Sequence, residues 1–134
     1  MSQTRTARFF LCSVALALTV GGFSTAEETG WRIYSEARNG DVHFFDPSRV
    51  EKTSDLRTVW TRIRYKRNVM AAASYQSLVE IDCTERTSRT LQRTFFSDRD
   101  WEVPAMKTDT KPKKQRPIKK GSPAERLSEI LCDA

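Results

Sequence analysis

Residues 56–65 read Leu-Arg-Thr-Val-Trp-Thr-Arg-Ile-Arg-Tyr. β-branched and aromatic side chains dominate this run, and such residues fit a pleated, half-buried surface. At a period of two, Val59, Ile63 and Tyr65 share one face while Leu56 and Trp60 share the other. Neither face is purely polar. The run therefore predicts a central strand with one face on the core and the other partly covered.

The flanking segments extend this sheet. In residues 71–83, Tyr75, Val79, Ile81 and Cys83 fall on one face, and Gln76, Leu78, Glu80 and Asp82 on the other. Residues 87–96 predict a threonine-rich strand with Leu91 and Phe95 turned inward. Upstream, Trp31-Arg32-Ile33-Tyr34 alternates as a strand does. Asn39-Gly40 is a hairpin turn pair because both residues tolerate positive φ. Val42-His43-Phe44-Phe45 is the returning strand, and Asp46-Pro47-Ser48 stops it because proline cannot donate to a ladder. The expectation is about five antiparallel strands in meander order.

The pattern changes at the C-terminus. Ser122-Pro123-Ala124-Glu125 is a capping box with proline at the first helical position. Ala124, Leu127, Ile130 and Leu131 then mark one apolar helical face. The fold class expected is α+β: a small antiparallel sheet with a C-terminal helix packed on it.

The N-terminus predicts export. Arg5 and Arg8 precede an apolar run, residues 9–23, and Ser24-Thr25-Ala26 places small residues at a cleavage site. This is the plan of a secretory signal peptide, residues 1–26, leaving a single domain over residues 27–134. As a helix the apolar run would span about 22 Å, short of the roughly 30 Å core of a bilayer. No other stretch is long enough to cross, so the mature chain is expected to lack a transmembrane segment. Cys12 lies near the start of the apolar run, which argues against lipidation.

Export places the remaining cysteines, Cys83 and Cys132, in an oxidising setting, where one disulfide is the default reading. Such a bridge would tether the helix to the sheet. A metal pair is the rival reading. It fails on ligand count, because His43 is the only histidine and a structural zinc site takes four ligands.

Residues 107–120, Lys-Thr-Asp-Thr-Lys-Pro-Lys-Lys-Gln-Arg-Pro-Ile-Lys-Lys, hold seven basic residues and one acid. Their net charge equals the +6 of the entire chain, so the basic character belongs to this segment and not to the rest of the domain. Its composition predicts an exposed, mobile loop. Lys107, Lys111, Lys113, Lys114, Arg116, Lys119 and Lys120 are the candidate ligand-binding cations, with Trp101 just upstream as a candidate aromatic contact. They suit sulfated glycans, lipopolysaccharide phosphates or acidic protein patches. The alternative is a solvated segment with no ligand. Trp31 and Trp60 lie in strand patterns and read as packing residues, and packing is also the first expectation for Trp101.

Catalysis finds no constellation. His43 alternates with Val42 and Phe44 in a strand, and no glycine-rich phosphate loop or metal spacing is present. No enzyme activity, cofactor or metal is expected. Nucleic acid is a poor fit to an exported protein whose basic run carries no aromatic platform.

Several of these features together resemble the surface-adhesin protein E family of Gram-negative bacteria. They are Trp31-Arg32-Ile33-Tyr34, Phe44-Phe45-Asp46 followed by Val50, Val59-Trp60, and Tyr75-Gln76-Ser77. Glu80-Ile81-Asp82-Cys83 and Gly121-Ser122-Pro123-Ala124-Glu125-Arg126-Leu127, ending at Cys132, complete the set. The resemblance covers nearly all of the expected mature chain. It implies an exported antiparallel sheet with a disulfide-tethered C-terminal helix, in the periplasm or on the outer cell surface. It further implies adhesion to matrix and serum proteins such as laminin, vitronectin and plasminogen, and a capacity to form a homodimer. The segment between Trp101 and Gly121 is more basic than the family pattern, so ligand preference does not transfer with it. A non-enzymatic adhesin-like binding module is the leading reading; a periplasmic structural or accessory protein is the alternative.

Overall fold

The computed structural model describes residues 30–133. The expected signal peptide, residues 1–26, lies outside the described residues. The rest forms one antiparallel sheet and one helix. The strands are β1 (Arg32–Glu36), β2 (Val42–Phe45), β3 (Glu51–Thr53), β4 (Leu56–Val69), β5 (Ala72–Asp82), β6 (Thr87–Phe96) and β7 (Arg116–Pro117), followed by α1 (Pro123–Cys132). The order is β1-β2-β4-β5-β6-β7, a meander, with β3 also paired to β4.

The hairpin logic holds at both ends of the first turn. The Ala37 amide donates to Asp41 O, the Gly40 amide donates to Ala37 O, and Gly40 takes φ +90°. Asp46 then interrupts the edge. Its carboxylate accepts from the Ser48 amide and hydroxyl and from Arg49 Nε, capping a single 3-10 turn, Pro47–Arg49. Beyond this turn the chain rejoins the same edge of β4 as β3, through Glu51↔Thr58 and Thr53↔Leu56. Sequence patterning missed β3 because its side chains are all exposed and carry no alternation.

β4 and β5 pair from Leu56↔Asp82 to Arg64↔Ser74, close to a full strand length. The register puts Val59, Thr61 and Ile63 on one face with Tyr75, Ser77, Val79 and Ile81. α1 packs there. Phe45, Val59, Ile81, Leu127 and Leu131 are the buried cluster, with Tyr34, Val50, Val79, Cys83, Ile118, Ile130 and Cys132 around it. The expected alternation of Leu91 and Phe95 is broken. The register jumps between Leu78↔Gln92 and Val79↔Thr90, leaving Leu91 as the extra residue of a bulge.

The helix begins as its capping box requires: Ser122 Oγ accepts from the Glu125 amide. The reciprocal bond is shifted by one residue, because the Glu125 carboxylate accepts from the Gly121 amide. Cys132, the last helical residue, is joined to Cys83 just past the end of β5, with Cα atoms 5.7 Å apart. The disulfide therefore ties the helix C-terminus to the sheet end opposite the Met70-Ala71 turn.

The basic segment is exposed for most of its length, but it does not stand free of the sheet as a mobile loop would. From Val103 to Ile118 it runs along the outer edge of β6. Ala105 donates to Phe95 O, Arg93 and Asp109 exchange both amide bonds, Lys113 donates to Thr90 O, and Ile118 donates to Arg86 O. β7 is the paired stretch within it. A composition poor in apolar residues need not bury them to order itself when an open strand edge offers backbone partners. Pro104, Pro112 and Pro117 cannot donate, so the pairing is intermittent. Ile118, the one bulky apolar residue of residues 107–120, packs against the core.

Candidate functional site

α1 has ten residues and covers about 15 Å, whereas β4 has fourteen and runs roughly 46 Å. One end of the helix-bearing face is thus left uncovered, and a groove of about 770 Å³ forms there. Its floor is Thr61, Ile63, Tyr75 and Ser77. Thr61 and Ser77 are buried, and their hydroxyls bond each other at 2.8 Å. The floor therefore satisfies its own polar groups and presents apolar and aromatic surface, with Tyr75 against Phe95 at 4.9 Å.

Tyr34 and His43 form one wall, packed edge to face at 5.7 Å. Burial lowers the His43 pKa below its usual value, opposed by nearby Asp41, so the imidazole is neutral at pH 7. Burial likewise raises the Tyr34 hydroxyl well above the usual tyrosine value. This wall carries no charge at neutral pH.

The opposite wall is cationic. Arg93 of β6 stands there with Lys113, Lys114 and Arg116 of the basic segment. Asp109 arranges them: its carboxylate accepts from Lys113 Nζ and from Arg93 Nε, the latter at 3.3 Å. The Lys113 hydrogen bond, then the Lys111 amide, hold the Asp109 pKa down at about 2. Lys114 and Arg116 have no carboxylate within ion-pair distance among the described residues. The helix N-terminus, Ser122 to Ala124, closes one end and adds its partial positive charge. An apolar floor between a neutral aromatic wall and a cationic wall suits an anionic ligand with an apolar or ring-bearing part. A smaller cavity of about 170 Å³ beside Cys83 and Cys132 is lined partly by the bridge itself.

The candidate residues from the sequence divide. Lys113, Lys114 and Arg116 line the groove; Lys107, Lys111, Lys119 and Lys120 lie outside its lining. Trp101 is on the opposite face of the sheet, its Nε1 donating to Tyr75 O and its ring edge to face with Phe44 at 5.7 Å. Arg93, Tyr34 and His43 were not anticipated as wall residues. The period-two pattern of residues 87–96 holds the cue for Arg93, which shares a face with Phe95, but the free edge that brings the lysines beside it has no local signal.

The surface-adhesin protein E family model matches residues 31–133. The chain belongs to the surface-adhesin protein E family. By that membership it is an adhesin-like surface protein, and no helix among the described residues is long and apolar enough to cross a membrane. Two solved structures of Haemophilus influenzae protein E share the fold. A crystal form II structure aligns with TM-score 0.62 at 9% identity, covering 78% of this chain and 88% of the other. Protein E from non-typeable Haemophilus influenzae aligns with TM-score 0.60 at 10% identity, covering 81% and 79% respectively. No curated protein sequence matches the chain.

Proposed function

We propose that the protein is a non-enzymatic binding module, exported through its N-terminal signal and displayed on the cell surface. Its groove takes anionic groups of extracellular macromolecules, namely sulfated glycans, lipopolysaccharide phosphates or acidic patches of matrix and serum proteins. The cationic wall of Arg93, Lys113, Lys114 and Arg116 over an apolar floor carries this reading. Contacts of this kind weaken with salt, because the Debye length is about 8 Å at 0.15 M. The ligands belong to this proposal, as does a homodimer. The outer edge of β1 has no strand neighbour among the described residues and could receive a second copy.

Binding of residues 27–134 to immobilised heparin, lipopolysaccharide, laminin and vitronectin across a salt series tests the reading, beside a K113Q/K114Q/R116Q variant. Saturable capture at physiological salt that is lost in the variant is the expected result. Capture unchanged by the substitutions would remove the groove from the function. Capture of no panel member would leave the accessory-protein role, in which these cations serve only to hold the segment to Asp109 and to solvent.

A further inference from the structure

The face of the sheet opposite the helix carries an unassigned cluster. All three tryptophans of the chain lie on it, with Phe44 and three arginines. The Arg62 guanidinium sits between two indoles, 4.3 Å from the Trp31 centroid and 4.6 Å from that of Trp101. Arg64 lies 4.8 Å from Trp101 and 5.5 Å from Phe44. Arg49 lies 5.5 Å from Trp31 and 5.7 Å from Trp60. The register explains the gathering: Phe44 pairs with Arg62, which pairs with Gln76, so these side chains leave the sheet on one side.

The charges do not balance. Arg49 is matched by Asp46 at 2.6 Å, and Arg64 reaches exposed Asp100 only at 3.8 Å. Arg62 has no carboxylate within ion-pair distance among the described residues; its Nε donates to Gln76 Oε1 at 2.8 Å. Burial and then the Arg49 charge depress the Arg62 pKa, against the opposing pull of Asp46, yet a guanidinium stays protonated at any physiological pH. Arg62 is therefore a partly desolvated cation lying over two indole rings, and its η nitrogens meet no acceptor among the described residues.

We infer that this face is a second docking surface, one that receives an acidic segment of a protein partner with an Asp or Glu carboxylate seated on the Arg62 fork. A guanidinium presents its donors in the planar fork that a carboxylate accepts in pairs. Trp and Arg are the side chains over-represented at the energetic centres of protein interfaces. Ile33, paired with Phe44 and 53% exposed, adds an apolar rim on the same face. Each of Trp31 and Trp101 already carries two guanidiniums near its ring, which commits the indoles to arginine and not to sugar stacking. The surface is independent of the groove and stands or falls separately from it.

The test is an NMR titration of ¹⁵N-labelled residues 27–134 with a ten-residue alternating Glu/Gly peptide and its Gln/Gly counterpart. The indole N–H resonances of Trp31 and Trp101 are the readout. Saturable shifts with the Glu peptide and none with the Gln peptide are expected. Arg62→Lys, which keeps the charge and removes the fork, should weaken binding about tenfold, whereas K113Q/K114Q/R116Q should leave it unchanged. The proposal is overturned by absent or non-saturable shifts, by equal affinity in Arg62→Lys, or by loss of binding in the groove variant. It is also overturned if a heparin hexasaccharide moves these resonances and the peptide does not. Should Arg62→Lys misfold, the two wild-type titrations decide the question alone.

Discussion

Breaking the Cys83–Cys132 bridge should remove a large part of the stability of this domain. The bridge closes a ring of 49 residues that contains β6, the basic segment and α1. The chain-entropy relation gives about 4 kcal/mol for a ring of this length. A domain of this size holds roughly 5–15 kcal/mol in all. Each kcal/mol moves the melting temperature by about 4–8 °C in so small a domain, so the variant should melt roughly 15–30 °C lower. Leu127 and Leu131 remain buried on the sheet, so native packing survives and the loss acts mainly through a freer unfolded chain. Urea titration of the C83S/C132S double variant, followed by tryptophan fluorescence, separates these contributions. The slope against urea should rise, because the released chain exposes more surface. A stability loss below about 1 kcal/mol with an unchanged slope would refute the reasoning and place the helix's hold on the sheet in packing alone.

Ile118→Ala should cost about 2 kcal/mol, near the low end for such truncations because the side chain is only partly buried, and amide exchange should quicken in residues 107–120 first. Asp109 has a folded pKa of about 2, below the roughly 3.9 of an unfolded aspartate. Its hold on Lys113 is therefore complete above about pH 4 and lost as pH falls toward 2, a step in Lys113 amide exchange that D109N should abolish. Gly40 takes φ +90°, and a Cβ there would stand 3.0 Å from Lys66 Cγ, so G40A should cost roughly 1–3 kcal/mol in urea denaturation. Intact mass of the exported protein should show residues 27–134 two hydrogens below the reduced mass; two free thiols would contradict the bridge.

The central sheet was legible because burial writes itself at a period of two. Val59 and Ile81, both fully buried, are the residues that alternation selects, and the capping box at Ser122 marked the start of α1 to the residue. What escaped has no periodic signature. β3 is wholly exposed, so its pairing depends on β2 having already placed the chain beside β4. The Leu91 bulge reverses a face through one extra residue, a change set by the fit of β6 to β5 and absent from β6's own composition.

The candidate site was legible only in its charges. Seven cations in fourteen residues could be seen, but the three that line the groove are chosen by backbone pairing to β6 and by one carboxylate, Asp109. Trp101 shows the same limit from the other side. Its place beside the basic run suggested one site, yet its indole reaches Tyr75 O across the face that carries Arg62 and Arg64. Those two arginines alternate with Thr61 and Ile63 and so share the face of Trp60, a cue available in residues 56–65. Their consequence depends on Trp31 and Trp101 arriving from segments that lie far apart in the chain. A sheet that covers one half of one face with a short helix leaves two surfaces unclaimed. Here the lysine-rich surface follows from a sheet edge and the arginine-rich one from register, so substitutions at one should leave the other intact.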